Sequence, residues 1–157
     1  SPYSKGDYIR IARARKSEKE ESGNIVSETF SRGFSVDSLC INLSGKYFGK
    51  IYDPAGAFED IENNVLRLLH RDIFELEPIY IFRAIYYTAR YGLSWEPMTE
   101  TVWKNAVKNG LHKNLEEKEI KLILKTIKKE KYGKSALKLL EKAKVLKPRG
   151  LWSWKTL

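Results

Sequence analysis

Arg83 and Arg90 stand seven residues apart, two helical turns, so they leave one helix face in nearly the same direction and can clamp a phosphate. The other duty open to such a pair is structural, with a carboxylate such as Glu77 or Asp60 as partner. A second cationic set, Lys118, Lys121, Lys125, Lys128 and Lys129, lies opposite an apolar row made by Ile120, Ile123, Leu124 and Ile127. Lysines so arranged neutralise nucleic-acid phosphates and release counterions, or else form a solvated face. Trp152 and Trp154 sit beside Arg149 and Lys155, a mixture of rings and cations that suits stacking on single-stranded bases. The same tryptophans suit docking into a partner or into the chain's own core. His70 and His112 have no Ser, Cys or second His at a spacing that makes a dyad or a metal site, so neither is read as catalytic. Cys40 lies in an apolar run and reads as a small core residue. The run Tyr80, Phe82, Tyr86, Tyr87 and Tyr91 reads as a packing face. No metal or cofactor site is expected.

These candidates sit on a chain of 157 residues, 42% hydrophobic, 12% aromatic and 31% charged, enough for one core or slightly more. The net charge of +9 is unevenly placed: residues 1–112 hold 15 Lys+Arg and 15 Asp+Glu, whereas residues 113–157 hold 14 and 5. A basic half of this kind points to a polyanionic partner, RNA or DNA foremost. No window approaches eighteen apolar residues and no apolar leader segment opens the chain, so no membrane partner and no retained signal peptide is expected. One cysteine excludes an internal disulfide, and with two histidines it cannot complete a four-ligand zinc site without carboxylates. A protein of a reducing compartment is the expectation.

Residues 7–15 alternate polar and apolar side chains and predict a strand. Residues 16–31, rich in Ser, Glu and Lys around Gly23, predict a loop of weak order. Residues 38–43 and 47–52 predict a hairpin turned at Gly45. Phe58, Ile61, Val65, Leu66 and Leu69 recur at helical spacing and predict a helix over 58–69. Further helices are predicted from Pro78 to Gly92, over 99–108, over 115–131 and over 135–145. A short sheet followed by helices predicts an α+β fold with segregated layers.

Three blocks in order carry a family resemblance. Arg32-Gly33-Phe34-Ser35-Val36-Asp37-Ser38-Leu39 is followed by Asp53-Pro54-Ala55-Gly56-Ala57-Phe58-Glu59-Asp60-Ile61 with Val65-Leu66-Arg67. The third block runs Leu76-Glu77-Pro78-Ile79-Tyr80 through Arg83-Ala84 to Arg90-Tyr91-Gly92. Together they resemble the class II tRNA nucleotidyltransferases, the CCA-adding enzymes, and bacterial-type poly(A) polymerases. The likeness covers about residues 7–146. It implies an incomplete palm sheet over 1–57, a helical neck over 58–147 and a Trp-rich tail over 148–157. It also implies that Asp53, Gly56, Asp60 and Arg67 are scaffold, and that Arg32, Arg83 and Arg90 are possible phosphate contacts.

The departures from the family pattern fall on its chemistry. The family's metal-binding D-x-D segment has no counterpart in this sequence, so the two-metal reaction has no expected site and no residue is read as catalytic. Its R-R-D triplet stands here as Ser31-Arg32-Gly33, and its following asparagine as Asp37. Its base-template motif E-D-x-x-R stands here as Leu76, Glu77 and Tyr80, and tyrosine lacks the planar donor fork of arginine. The expectation is therefore a non-catalytic, RNA-binding relative, a structural subunit of a ribonucleoprotein such as a ribosome, with tRNA or rRNA and other proteins as partners and the mitochondrial matrix preferred to the cytoplasm. The alternatives are a fragment or one chain of a split nucleotidyltransferase, and a protein-docking scaffold.

Overall fold

A twelve-residue helix, α4 (Tyr80–Tyr91), forms the centre of the core, with Tyr80, Ile81, Phe82, Ala84, Ile85 and Ala89 all withdrawn from water. The computed structural model describes residues 25–43 and 45–147, and the backbone of 151–152. The strand expected at 7–15 lies outside the described residues, as do Arg149, Trp154 and Lys155. Around α4 stand α1 (Ile25–Phe30), α2 (Ala57–Glu62), α3 (Ile73–Leu76), α5 (Pro97–Lys108), α6 (Glu117–Lys129) and α7 (Gly133–Lys142). Three two-stranded sheets complete the described residues, so the α+β expectation holds.

Helix α4 ends at Gly92, whose left-handed backbone (φ 71°) lets its N–H reach the Thr88 carbonyl. The Tyr132 N–H then donates to the Ala89 carbonyl at 2.7 Å, which pins the α6–α7 junction onto the end of α4. Helix α6 starts at a capping box in which Glu116 and Glu119 exchange side-chain and backbone bonds. It buries Ile120, Leu124 and Ile127 against α4 and α7, as the apolar spacing predicts. One hydrophobic cluster runs from Phe34 to Leu146.

Three expectations need correction. Residues 25–30, expected to be loop, form α1, which buries Glu28 and Thr29. Arg32 pairs with Glu28 at 2.6 Å, the Ser31 hydroxyl caps the Glu28 carbonyl, and His70 is hydrogen-bonded to the Phe30 carbonyl. The helix expected over 58–69 stops at Glu62. Asn64 takes a positive φ of 54°, and β3 (Val65–Leu66) pairs in parallel with β4 (Ser94–Trp95), Leu66 opposite Trp95. Phe58 and Ile61 are exposed, so their helical spacing did not mark a core face, and Leu66 is buried as a strand residue. The hairpin is real but shorter than expected: β1 (Cys40–Ile41) pairs antiparallel with β2 (Ile51–Tyr52), while Gly45–Tyr47 forms a 3-10 turn. Gly49, at φ 78°, donates to the Asn42 carbonyl while the Asn42 N–H donates to the Lys50 carbonyl at 2.9 Å, so Gly49 and Lys50 together face Asn42 at the base of the turn. Cys40 is half-buried on β1.

Glu96 binds the sheet to α5. Its carboxylate caps the helix by accepting from the Thr99 N–H at 2.8 Å and from the Thr99 hydroxyl at 3.1 Å, and that hydroxyl accepts the Leu68 N–H at 2.8 Å. Burial pushes the Glu96 pKa up, but the donors at Thr99 and Met98 outweigh it and hold the carboxyl below its ordinary value. Among the described residues no helix is long and apolar enough to cross a membrane.

Glu96→Ala is expected to lower the free energy of unfolding by about 1 kcal/mol in urea at pH 7. Because the native carboxyl titrates below its unfolded value, its contribution is complete above the unfolded pKa. It is lost as the pH falls through the native one, so variant and parent converge in acid.

Candidate functional site

The segment after α1 and the first turn of α4 face each other, and between them lies the region that the motifs single out. Residues 33–35 pair with 67–69: the Ser35 N–H bonds the Arg67 carbonyl and the Leu69 N–H bonds the Gly33 carbonyl, both at 3.0 Å. This pairing holds Gly33 against α4. A Cβ at Gly33 would stand 2.1 Å from Tyr80 Cε1, far inside van der Waals contact, so no side chain can occupy position 33 while Tyr80 keeps its place. Tyr80 is only 5% exposed; its ring meets Phe34 at 5.9 Å, and the Arg83 guanidinium lies 4.4 Å from its centroid. The Gly33 and Tyr80 positions, where the resemblance puts an aspartate and an arginine, are thus matched: a missing side chain makes room for a ring.

Next to this ring, the Tyr87 hydroxyl donates to Asp37 Oδ2 at 2.7 Å, and Phe34 sits edge-on to Tyr87 at 5.9 Å. Asp37 Oδ1 and Ser35 Oγ are buried and have no hydrogen-bond partner among the described residues. Burial pushes the Asp37 pKa up against the opposing pull of Tyr87, Arg32 and Arg83, and burial with the Asp37 charge pushes Tyr87 up as well. Both shifts run toward the protonated form, and they act on a hydrogen bond that ties the segment after α1 to α4. Among the described residues no three His, Cys, Asp or Glu side chains group as a metal site.

The two arginines of α4 have different neighbours. Arg83 stacks on Tyr80, whereas Arg90 bonds the Tyr86 hydroxyl at 3.0 Å and approaches Glu130 at 3.5 Å. The carboxylate that Arg90 meets is thus neither Glu77 nor Asp60. Arg32 is engaged by Glu28. The scaffold residues close one turn: Asp53 accepts from the Ala57 and Phe58 N–H groups at 2.6 and 2.9 Å, and Gly56 takes φ 71°. Arg67 donates to Asp60 Oδ2 at 2.8 Å and to the Ala55 carbonyl at 2.5 Å.

Lys118, Lys121, Lys125, Lys128 and Lys129 are all exposed on α6, and Lys121 pairs with Glu117 at 2.6 Å. Lys128 also lines a groove of 260 Å³ together with Lys134 and Lys138 of α7. Those two lysines are absent from the sequence-based set, although their four-residue spacing just after Gly133 carries the signal. Trp152 belongs to strand β6 (Leu151–Trp152), paired antiparallel with β5 (Leu146–Lys147).

No protein-family profile matches the chain. It is 33% identical over 90 residues to an A-adding tRNA nucleotidyltransferase of Geobacter sulfurreducens, which covers 57% of this chain and 10% of that protein. It is 29% identical over 111 residues to an A-adding tRNA nucleotidyltransferase of Aquifex aeolicus, covering 68% of this chain and 14% of that one. The solved structure of a Thermotoga maritima CCA-adding enzyme complexed with tRNA superposes with a TM-score of 0.72 at 28% identity, over 77% of this chain and 30% of that chain. The chain therefore spans less than a third of the length of each of these three proteins.

Gly33→Ala is expected to cost about 1–3 kcal/mol by overpacking against the Tyr80 ring. In a Tyr80→Ala background the same change is expected to cost much less, and the coupling in a double-mutant cycle of urea unfolding measures how strongly the two positions depend on each other.

Proposed function

We propose that this chain, a partial relative of the class II tRNA nucleotidyltransferases, binds RNA through the lysines of α6 and α7 and does not itself add nucleotides. The observation that carries the RNA-binding half is the run of exposed cations Lys118, Lys125, Lys128, Lys129, Lys134 and Lys138, none of which makes an ion pair with a described residue. Six such charges on two adjacent helices leave a positive field that phosphates neutralise with release of counterions. A relative of similar fold solved with tRNA supports the same choice of partner. The filled space between Gly33 and Tyr80 supports the non-catalytic half, because the ring takes the volume that a side chain at position 33 needs.

An accessory role within a ribonucleoprotein draws support from the hairpin. Ile41, Leu43, Tyr47 and Ile51 are about half exposed and Phe48 is 72% exposed, an apolar collection that protein contact would cover. The second reading, one portion or one chain of a split nucleotidyltransferase, is favoured by the short span that the chain takes up in its relatives.

Affinity for a tRNA acceptor hairpin is expected to fall steeply with salt, and Lys125→Gln with Lys128→Gln is expected to reduce the log–log slope by about 0.7–0.9 for each phosphate that is no longer neutralised. An unchanged slope would mean that these lysines face only water. Incubation with tRNA lacking its 3′ end, Mg²⁺ and labelled ATP or CTP is expected to give no extension. Extension above background would select the split-enzyme reading.

A further inference from the structure

A hollow of 820 Å³ opens between α5 and α7, on the Trp95 side of α4. Its floor holds Trp95 and Trp103, packed edge to face with centroids 5.1 Å apart, and its far wall includes Leu139. Both indole N–H groups are already committed inside the protein: Trp95 donates to the Thr88 hydroxyl at 2.7 Å and Trp103 to the Ile81 carbonyl at 2.9 Å. The rings are thereby fixed: Trp103, only 4% exposed, braces Trp95 from below, and the carbon and π surface the hollow receives is chiefly that of Trp95. Around the rim stand Lys104, Lys108 and Lys142. Lys104 is neutralised by Glu100 at 2.6 Å, while Lys108 and Lys142 make no ion pair with any described residue.

A rigid aromatic floor beneath two uncompensated cations is complementary to a flat, weakly polar group that carries negative charge, and the volume lies within the range of small-ligand sites, roughly 300–1,000 Å³. The wall formed by α7 adds a second argument. The same helix that gives Leu139 and Lys142 to this hollow gives Lys134 and Lys138 to the groove shared with α6, so cations follow α7 from one concavity to the other. A phosphodiester chain along α6 and α7 would meet the hollow at the end of that path.

We propose that this hollow binds a nucleotide unit, its base against Trp95 and Leu139 and its phosphate at Lys108 and Lys142. The unit can come from a free nucleotide or from the end of an RNA strand. In its RNA form the proposal rests on the RNA-binding reading above, whereas as a free-nucleotide site it stands without it.

The test titrates the full chain with AMP, with ribose 5-phosphate and with a pentaadenylate RNA, following tryptophan fluorescence and saturation-transfer NMR of the base protons. AMP, pentaadenylate or both are expected to bind saturably, and ribose 5-phosphate, which lacks the base, is not. Lys108→Glu with Lys142→Glu, both at exposed positions, is expected to weaken that binding by about tenfold, the sum of two near-surface charge interactions. Lys125→Gln with Lys128→Gln is expected to leave AMP binding unchanged. Binding of pentaadenylate alone assigns the site to an RNA end, and binding of AMP as well extends it to free nucleotides. No saturable binding of either, or full affinity in the Lys108→Glu, Lys142→Glu variant with its circular dichroism unchanged, overturns the proposal. If the tRNA hairpin binds the same variant normally, the site falls and the RNA reading stands. If AMP binds in a Lys108-dependent way while the hairpin does not bind at all, the RNA reading falls and the site stands.

Discussion

Helix α4 has little freedom to face water, and the arrangement of its neighbours follows from that constraint. Tyr80, Ile81, Phe82, Ala84, Ile85 and Ala89 point in several directions around its axis and are all buried, so neighbours must arrive from several sides. Helices α6 and α7 pack along it with Ile120, Leu124, Ile127, Ala136 and Leu140, the strand pair β3–β4 closes against it, and Phe34 inserts from the segment after α1. The Trp103 indole reaches the Ile81 carbonyl and the Tyr132 N–H reaches the Ala89 carbonyl, so even polar groups of the helix serve as anchors.

Such a helix tolerates exchange only in matched sets. At its first turn, Tyr80 takes the space beside Gly33, and neither residue can be altered without consequence for the other. Behind it, Asp37 and Tyr87 share a partly buried hydrogen bond, and burial pushes the pKa of each above its ordinary value. A packed, ring-filled contact has replaced the charged side chains that the family motifs would place there, and it leaves the scaffold turn of Asp53, Gly56, Asp60 and Arg67 intact. The scaffold and the proposed RNA face are thus separable, the first set by the packing around α4 and the second by lysines on the outward sides of α6 and α7.

Much of this was legible in the sequence where the signal is local. Gly92 and the apolar spacing of Ile120, Leu124 and Ile127 placed α4 and α6 closely, because a helix stop and a buried stripe each act within a few residues. The region 58–69 misled for the same reason. Its apolar residues recur at helical spacing, but Asn64 at positive φ and the long-range pairing of Leu66 with Trp95 decide the outcome, and neither shows in periodicity. The motif blocks drew attention to the segments around Gly33 and Tyr80, and the departures at those two positions were visible singly. That one compensates the other became visible only when the intervening residues had folded them together. The hollow over Trp95 was not legible at all, since residues 88–108 line it together with residues 139–143, which only folding brings beside them.

The most direct test of where RNA acts on this chain is an amide NMR titration of the ¹⁵N-labelled protein with a tRNA acceptor hairpin. The RNA-binding reading predicts shifts concentrated on residues 118–142, with the amides of Gly33, Asp37 and Tyr80 unmoved. Shifts centred on Gly33 and Tyr80 would mean that the filled site opens to receive RNA, and an unchanged spectrum would remove RNA as the partner.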